Sequence, residues 1–417
     1  MMKCDWKKCK LINETISIGD GIHGTPKYDT NSDVFFINGN NLLNGHIHIK
    51  EDTKRVSAVQ ATIHQDILSD RTLLISINGT LGNVAYYCGE PVVLGKSACY
   101  VNVNSQNDKK FFYYLFTSPM FQQYLHFEAT GTTIKNVSLK SMRNFEFLLP
   151  PLEEQKRIAQ ILGALDDKIE LLQKQNKTLE DMAKAIFKSW FVDFDVVHAK
   201  QKGLPKADIM REYHLTDELY DLFPSGFEPS ALGPIPHGWQ VKTLGDISTC
   251  YDSKRIPLSN RERAERQGNY PYYGATSIMD HVDDFLFDGI YLLLGEDGSV
   301  VKPEGTPFLQ YVFGKIWVNN HAHVLQGKAP VGTEFLYLFL SDVQIQPYVT
   351  GAVQAKLNQK NMNSIPVCMA TEDFVRQFQG IIEIYFVKIR SNLKQIQTLT
   401  ELRDALLPRL ISGKIRV

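Results

Sequence analysis

LPPLEEQKRIAQILGALDDKIELLQKQNKTLEDMAKAIFKSW, residues 149–190, decides the architecture of this chain. Pro150 and Pro151 cannot lie inside a helix, but they fit its first turn or the turn just before it. Glu153 and Glu154 then set negative charge against the unpaired N–H groups of that turn. Beyond them apolar side chains return at alternating steps of three and four: Leu162, Leu165, Ile169, Leu172, Leu179, Ile186 and Trp190, with Asn176 and Ala183 in the two gaps. That rhythm is a heptad seam. An Asn buried in such a seam weakens the pairing but fixes its register. About forty residues at about 1.5 Å each predict a rod of roughly 60 Å. One rod cannot bury its own seam, so the sequence demands a partner helix.

The partner stands at the other end of the chain. Thr371 is a fitting N-cap, with Glu372 and Asp373 in the first turn. Ile382, Tyr385, Ile389, Ile396, Leu399, Leu406 and Leu410 keep the same rhythm, and Gly413 fits a C-cap. Just upstream the two halves match as sequence. TGTTIKNVSLKSM begins at Thr130 and TGAVQAKLNQKNM at Thr350, an offset of 350 − 130 = 220 residues. Gly131 falls on Gly351, Lys140 on Lys360 and Met142 on Met362, and the same offset carries Ile169 to Ile389, Leu179 to Leu399 and Ile186 to Leu406. A period this long is not that of a solenoid. It describes a globular domain followed by a long helix, made twice.

The segment TGTTIKNVSLKSMRNFEFLLPPLEEQKRIAQIL resembles the signature of specificity subunits of type I restriction-modification systems. So do WFVDFD at residues 190–195, PSGFEPSALGPIPHGW at residues 224–239 and the duplicated layout. The resemblance covers essentially the whole chain, and LPPLEEQ with its flanking helix is its most specific motif.

Bulk properties agree with a globular protein. A length of 417 residues suggests two to four domains, and 43% hydrophobic residues suffice for sizeable cores. No apolar run, IYLLL at residues 290–294 included, is long enough to span a bilayer, and the first ten residues lack the apolar stretch of a signal peptide. Six cysteines without a C-x-x-C pair point to reduced thiols in the cytoplasm. A net charge of −1 does not announce a nucleic-acid binder. Affinity for DNA depends on local basic clusters, so a neutral total implies that partner subunits supply part of the phosphate contact.

The first globular copy opens with Trp6 and Leu11, a spacing that recurs as Trp239 and Leu244. LLISINGTLG at residues 73–82 recurs as YLLLGEDGSV at residues 291–300. Both are β-rich runs broken at Asn78-Gly79 and Asp297-Gly298, dipeptides that favour tight turns with positive φ. Between landmarks the copies differ in length, 79 − 6 = 73 residues against 298 − 239 = 59. Equal scaffolds with unequal loops suit two readers of different ligands.

Several stretches imitate catalytic motifs. Residues 19–24 spell G-x-G-x-x-G, but Thr25-Pro26 follows where a dinucleotide site needs a helix. GEPVVLGKS at residues 89–97 has five residues where a P-loop has four. The eleven histidines form no H-x-x-x-H or H-E-x-x-H, and the pairs His46/His48 and His321/His323 read as one face of a strand rather than metal ligands. Leu149-Pro150-Pro151-Leu152 lacks the amide and aromatic that flank a methyltransferase's double proline. No metal ligand set and no catalytic residue is predicted.

Basic and small polar loop positions remain as candidates for DNA contact: Lys27, Thr80, Lys135 and Asn136 in the first copy, and Lys254, Arg255, Ser299, Lys302 and Lys356 in the second. Arg and Lys suit phosphates and guanine, and Asn suits adenine.

The expected fold is α+β. A first target recognition domain (residues 1–150), a central long helix (151–192), a linker (193–236), a second recognition domain (237–370) and a C-terminal long helix (371–417) follow in order, with the helices antiparallel and the halves related by a pseudo-twofold axis. The linker reads either as a plain tether or as a segment packed on the rods, with a short helix within residues 213–223. The resemblance implies a non-catalytic subunit whose two domains each read half of a bipartite sequence in double-stranded DNA. It also implies that the helices recruit two modification (methyltransferase) subunits and that restriction subunits join them, with S-adenosylmethionine, ATP and Mg²⁺ belonging to those partners. A fused methyltransferase or nuclease, and a coiled-coil scaffold without DNA specificity, are the competing readings.

Overall fold

The computed structural model describes residues 6–57, 59–60, 62, 67–298, 300–351 and 354–417. Two compact units divide the chain: residues 1–171 with 395–417, and residues 172–394. The two long helices, Leu152–Phe191 and Glu372–Ile411, have the lengths and limits that the heptad and capping signals imply. They are not domains apart, however. Each gives one half to the core of the first unit and the other half to the core of the second.

In the first unit the Lys7–Lys10 strand pairs antiparallel with Glu146–Leu149. A four-stranded antiparallel sheet lies beside this pair, in the order Thr15–Asp20, Ala98–Val103, Thr72–Ser76, Val84–Tyr86. Every residue of the central Thr72–Ser76 strand is buried, as the run LLIS requires. Phe111, Phe112, Phe116, Phe121, Phe145 and Phe147 pack together, edge to face or tilted except for the stacked rings of Phe145 and Phe147. The core is closed by Ile158 and Leu162 from the first long helix and by Leu407, Leu410 and Ile411 from the second. Arg416 meets Glu154 at 3.1 Å and Arg403 meets Asp166 at 2.9 Å, so here the helices run antiparallel.

The second unit repeats this frame. Gln240–Thr243 pairs with Pro366–Met369 as Lys7–Lys10 pairs with Glu146–Leu149. The fully buried Leu11 donates its N–H to the Phe145 carbonyl, and the fully buried Leu244 donates to the Ile365 carbonyl, the equivalent contact in the second copy. The sheet is larger, with six strands in the order Ser248–Cys250, Ala322–Gly327, Phe287–Gly295, Leu309–Val318, Gln267–Tyr273, Ile278–Val282. All neighbours are antiparallel except Gln267–Tyr273 with Leu309–Val318.

Residues 193–236 correct the plain-tether expectation. They fold into helices Asp195–Gln201, Lys206–Glu212 and Asp217–Leu222 and a hairpin of Phe227–Ser230 with Gly233–Pro236. Val196, Val197, Ile209, Leu219, Phe223 and Ile235 bury themselves in the core shared by Trp190, Phe191, Phe374 and Phe378. The rings of Trp190 and Phe223 are 5.2 Å apart and those of Phe223 and Phe374 are 4.7 Å apart, both edge to face. Lys200 Nζ donates to the carbonyls of Tyr220 and Phe223 at 2.6 Å, satisfying the end of the third short helix. Each short helix carries a few apolar residues, enough to dock.

The helix seam is broader than the heptad reading. Leu162, Ile169, Leu172, Ile382, Ile389 and Leu410 are buried; Leu165, Asn176, Leu179, Ile186, Tyr385, Ile396, Leu399 and Leu406 are half-buried. Ala159, Phe187, Phe378, Phe386 and Leu407, outside that seam, are buried too. Where a helix faces a globular core it presents a wide 3.6-period stripe, not only the narrow seam. Pro408 sits in the last turn of the second helix, where the lost N–H bond is tolerable near the frayed end. Among the described residues no helix is long and apolar enough to cross a membrane.

Candidate nucleic-acid interface

The turn and the loop that matched best as sequence are joined in space, once in each unit. In the first unit the chain leaves the Thr72–Ser76 strand into a turn with Gly79 at φ +73°. Residues 130–136 form a closed loop: the Thr130 N–H donates to the Asn136 carbonyl at 2.9 Å, and the Asn136 N–H donates back at 2.8 Å. Gly131 sits at φ +96°, and a Cβ there would lie 2.3 Å from the Ile134 carbonyl oxygen, so only glycine fits. The Gly79 N–H donates to the Lys135 carbonyl at 2.9 Å, and Asn78 Nδ2 donates to Asn136 Oδ1 at 3.1 Å. These bonds lock loop to turn.

The second unit builds the same pair. Gly298 takes φ +77°, and its N–H donates to the Ala355 carbonyl at 3.0 Å. Thr350 and Lys356 exchange two backbone bonds of 2.8 Å. Gly351 takes φ +96°, with the Gln354 oxygen 2.1 Å from where a Cβ would stand. Gln354 Nε2 donates to Asp297 Oδ1 at 2.7 Å, where the first unit has the Asn78–Asn136 bond. Backbone geometry is kept while side chains change; the two turn-and-loop pairs are called heads below.

The candidates distribute around these heads. Thr80, Lys135 and Asn136 come together at the first, Thr80 and Lys135 exposed and Asn136 half-buried. Lys356 stands exposed at the second, its Nζ 3.9 Å from Glu296. Ser299 lies outside the described residues. Lys302 opens a separate turn, its N–H donating to the Thr306 carbonyl and its Nζ 4.0 Å from Glu304. Lys27 is exposed on a loop, and its backbone N–H donates to Gln60 Oε1 at 2.7 Å. Lys254 is exposed with its Nζ 5.0 Å from the Tyr251 ring centroid. Arg255 departs from the picture of a free loop cation. Its guanidinium is drawn inward, donating to Glu296 Oε2 and to the Ala322 carbonyl at 2.6 Å each and meeting Asp252 at 3.3 Å.

Sequence reasoning missed Gln354, although it lies inside the quoted repeat. It also missed the buried polar group beneath the second head. Asp252 and His323 meet there at 2.5 Å with Cys250 alongside, and the three side chains come within 4.8 Å of one another. Such spacing can hold a metal, but here the ring nitrogens of His323 already face Asp252 Oδ2 and the Leu357 carbonyl, which leaves no lone pair directed at an ion. Burial pushes the Cys250 thiol up to about 12, so it stays neutral. The G-x-G-x-x-G run begins inside the Thr15–Asp20 strand and no helix follows it, and the near P-loop is traversed by the Val92–Leu94 strand. Neither run has the strand–loop–helix of a phosphate cradle.

The model of the type I restriction modification DNA specificity domain matches residues 14–181 and again residues 236–369. The chain belongs to that family. Two matches in one chain are the internal duplication seen from outside. Among curated relatives, the type I restriction enzyme MjaIX specificity subunit of Methanocaldococcus jannaschii is 26% identical over 327 residues, 74% of this chain and 69% of that one. The HindI specificity subunit of Haemophilus influenzae is 26% identical over 344 residues, 69% of this chain and 73% of that one. A solved type I restriction-modification S subunit from M. genitalium has the same fold, with a TM-score of 0.54, 19% identity and coverage of 99% and 97% of the two chains. As a specificity subunit this chain contributes sequence recognition rather than catalysis to its restriction-modification system.

Proposed function

We propose that each unit reads one half of a bipartite, asymmetric target in double-stranded DNA through its turn-and-loop head. Thr80, Lys135 and Asn136 serve the first half-site, and Lys356 and Gln354 serve the second. The observation that carries this reading is the repeated head: the same backbone bonds and the same two positive-φ glycines, with different side chains. In this reading Lys27, Lys254 and Lys302 meet phosphates, which position a protein without reading sequence. In this reading residues 1–150 and 237–370 are the two recognition domains, and the outer faces of the helices 151–192 and 371–417 receive two modification subunits, with restriction subunits joining later. S-adenosylmethionine, ATP and Mg²⁺ then belong to those partners, and the complex works in the cytoplasm. Methylome sequencing of cells that express this chain with its modification subunit tests the proposal. Replacing residues 1–145 by the matching unit of a relative is expected to change one half of the methylated motif and leave the other. A change in both halves together, or in neither, overturns it.

A further inference from the structure

Three pieces of the first unit meet at Ser97. This residue lies in the turn that joins the Val92–Leu94 strand to the Ala98–Val103 strand, where the Ala98 N–H donates to the Gly95 carbonyl at 3.0 Å. Its own carbonyl accepts the Ile77 N–H at 3.0 Å, one residue before the Asn78–Gly79 turn of the first head. Its hydroxyl accepts the Gly39 N–H and donates to Asn38 Oδ1, both at 2.9 Å. One serine therefore ties a third segment, the short 3₁₀ helix Gly39–Asn41, to the head.

The tie is close. A Cβ on Gly39 would stand 2.7 Å from that of Ser76, the last residue of the strand that runs into the head. Ser76 Oγ accepts the Asn83 N–H at 2.8 Å, which closes the turn from its other end. The short helix is fixed on its far side as well. Asn41 is 5% exposed; its Oδ1 accepts the Asn38 N–H at 3.0 Å and its Nδ2 donates to the His48 carbonyl at 2.9 Å. Asn38 and Asn41 thus use their amides inside the protein. Asn40, between them, is exposed, and among the described residues nothing takes its amide. A free polar group on a backbone that is already ordered loses little entropy when a ligand takes it. Lys96, beside Ser97, is exposed too and has no acidic partner among the described residues. It is the lysine of the near P-loop, and it stands with Asn40 at the end of the sheet where Thr80 and Lys135 belong.

In the second unit His321 fills the place of Ser97. Its carbonyl accepts the Glu296 N–H at 2.9 Å, one residue before the Asp297–Gly298 turn. Its ring faces that turn, with Nδ1 3.8 Å from Asp297, and among the described residues it ties no further segment to the head.

We propose that the Gly39–Asn41 helix is a third element of the first reading head, and that Asn40 is a specificity-determining residue whose amide reads the edge of an adenine in the first half-site while Ser97 positions it. An amide offers a donor and an acceptor side by side, the complement of adenine N7 and N6–H in the major groove. This role for Asn40 rests on the reading of the heads as DNA readers. It also gives the first unit a reading surface that the second does not share, in line with the unequal lengths of the two copies between their landmarks.

Methylome sequencing of cells that express the full chain with its modification subunit tests this role. Asn40 is exposed and bonds to nothing among the described residues, so Asn40→Ala is expected to melt as wild type does. In the first half of the methylated motif it is expected to lose the choice of one A·T pair, a preference of about 5- to 150-fold for a bidentate contact, with every other position unchanged. Ser97→Ala keeps the carbonyl bond to Ile77 and loses both hydroxyl bonds. It is expected to weaken the choice at that same position, and to add nothing to Asn40→Ala in the double variant. An unchanged motif in Asn40→Ala, a relaxed pair other than A·T, a change in the second half, or loss of methylation at all sites alike overturns the role given to Asn40. Thr80→Ala and Lys135→Ala, made alongside, separate the two readings. If they alter methylation of the first half while Asn40→Ala does not, the heads stand and the third element falls. If none of the three does, the reading of the heads falls with it.

Discussion

The pair of amides between the long helices makes the sharpest stability prediction. Asn392 is fully buried and donates from Nδ2 to Asn176 Oδ1 at 2.8 Å. The remaining halves of both amides, Asn176 Nδ2 and Asn392 Oδ1, are buried without a partner. One hydrogen bond between side chains contributes about 0.5–1.5 kcal/mol net, while each unmet buried group costs about 1–3 kcal/mol. A Leu in place of Asn392 would add roughly 1.5–3 kcal/mol of burial, and one in place of the half-buried Asn176 less. Asn392→Leu alone strips Asn176 of its bond, so burial and the new orphan nearly cancel, to within about 1 kcal/mol. Asn176→Leu alone behaves similarly. The double replacement removes every orphan and is expected to stabilise the protein by about 2–4 kcal/mol, with a coupling between the two sites of at least about 1 kcal/mol. Guanidinium unfolding of the wild type and three variants, followed by circular dichroism, measures this cycle. Additive effects, or a double variant no more stable than wild type, would refute the reasoning that the amides trade stability for register. At the 220-residue offset Asn176 corresponds to Ile396 and Asn392 to Leu172, so the polar pair is not repeated in the duplication. It lies near the middle of both helices and breaks the sequence symmetry of their seam.

Gly131→Ala and Gly351→Ala each force a Cβ into a carbonyl at 2.3 and 2.1 Å with φ at +96°, and each is expected to cost about 1–3 kcal/mol locally and to abolish methylation, with overall melting barely changed. Arg255→Ala strands the half-buried Asp252 and Glu296 carboxylates and is expected to destabilise by about 1–3 kcal/mol in thermal melts, whereas Lys27→Ala should leave melting unchanged and reduce the salt slope of DNA binding by the complete complex by about 0.9. Trp190→Ala opens the aromatic cluster with Phe223, Phe374 and Phe378 and is expected to cost about 3–5 kcal/mol, measured by the same denaturation. Because the Asp252 carboxyl is held below its usual range, its contribution is complete above the unfolded value near about 3.9 and is lost as pH falls through the folded one; melting at pH 3 to 7 should flatten in Asp252→Asn.

Periodic signals and backbone signals were legible in the sequence. The two forty-residue helices, their starts after Pro151 and Thr371 and the Gly413 end all followed from heptads and caps, because those effects act within one or two turns. The Asn-Gly and Asp-Gly turns followed from the need for positive φ. The 220-residue repeat gave two copies of one α+β unit without any coordinate. What the sequence could not decide were partnerships between distant side chains. Arg255 reads as a loop cation until tertiary packing brings Glu296 and Ala322 to it from positions 41 and 67 residues away. For residues 193–236 the sequence leaves tether and packed segment both open, because each short helix has too few apolar residues to show a period; folded, they fill one face of the Trp190 core. His323 is one histidine among eleven until the sheet sets it between Asp252 and the Leu357 carbonyl. Local rules are written in neighbouring residues and survive in the sequence; the identity of a charge's partner depends on which strands lie side by side, and only the folded chain settles that.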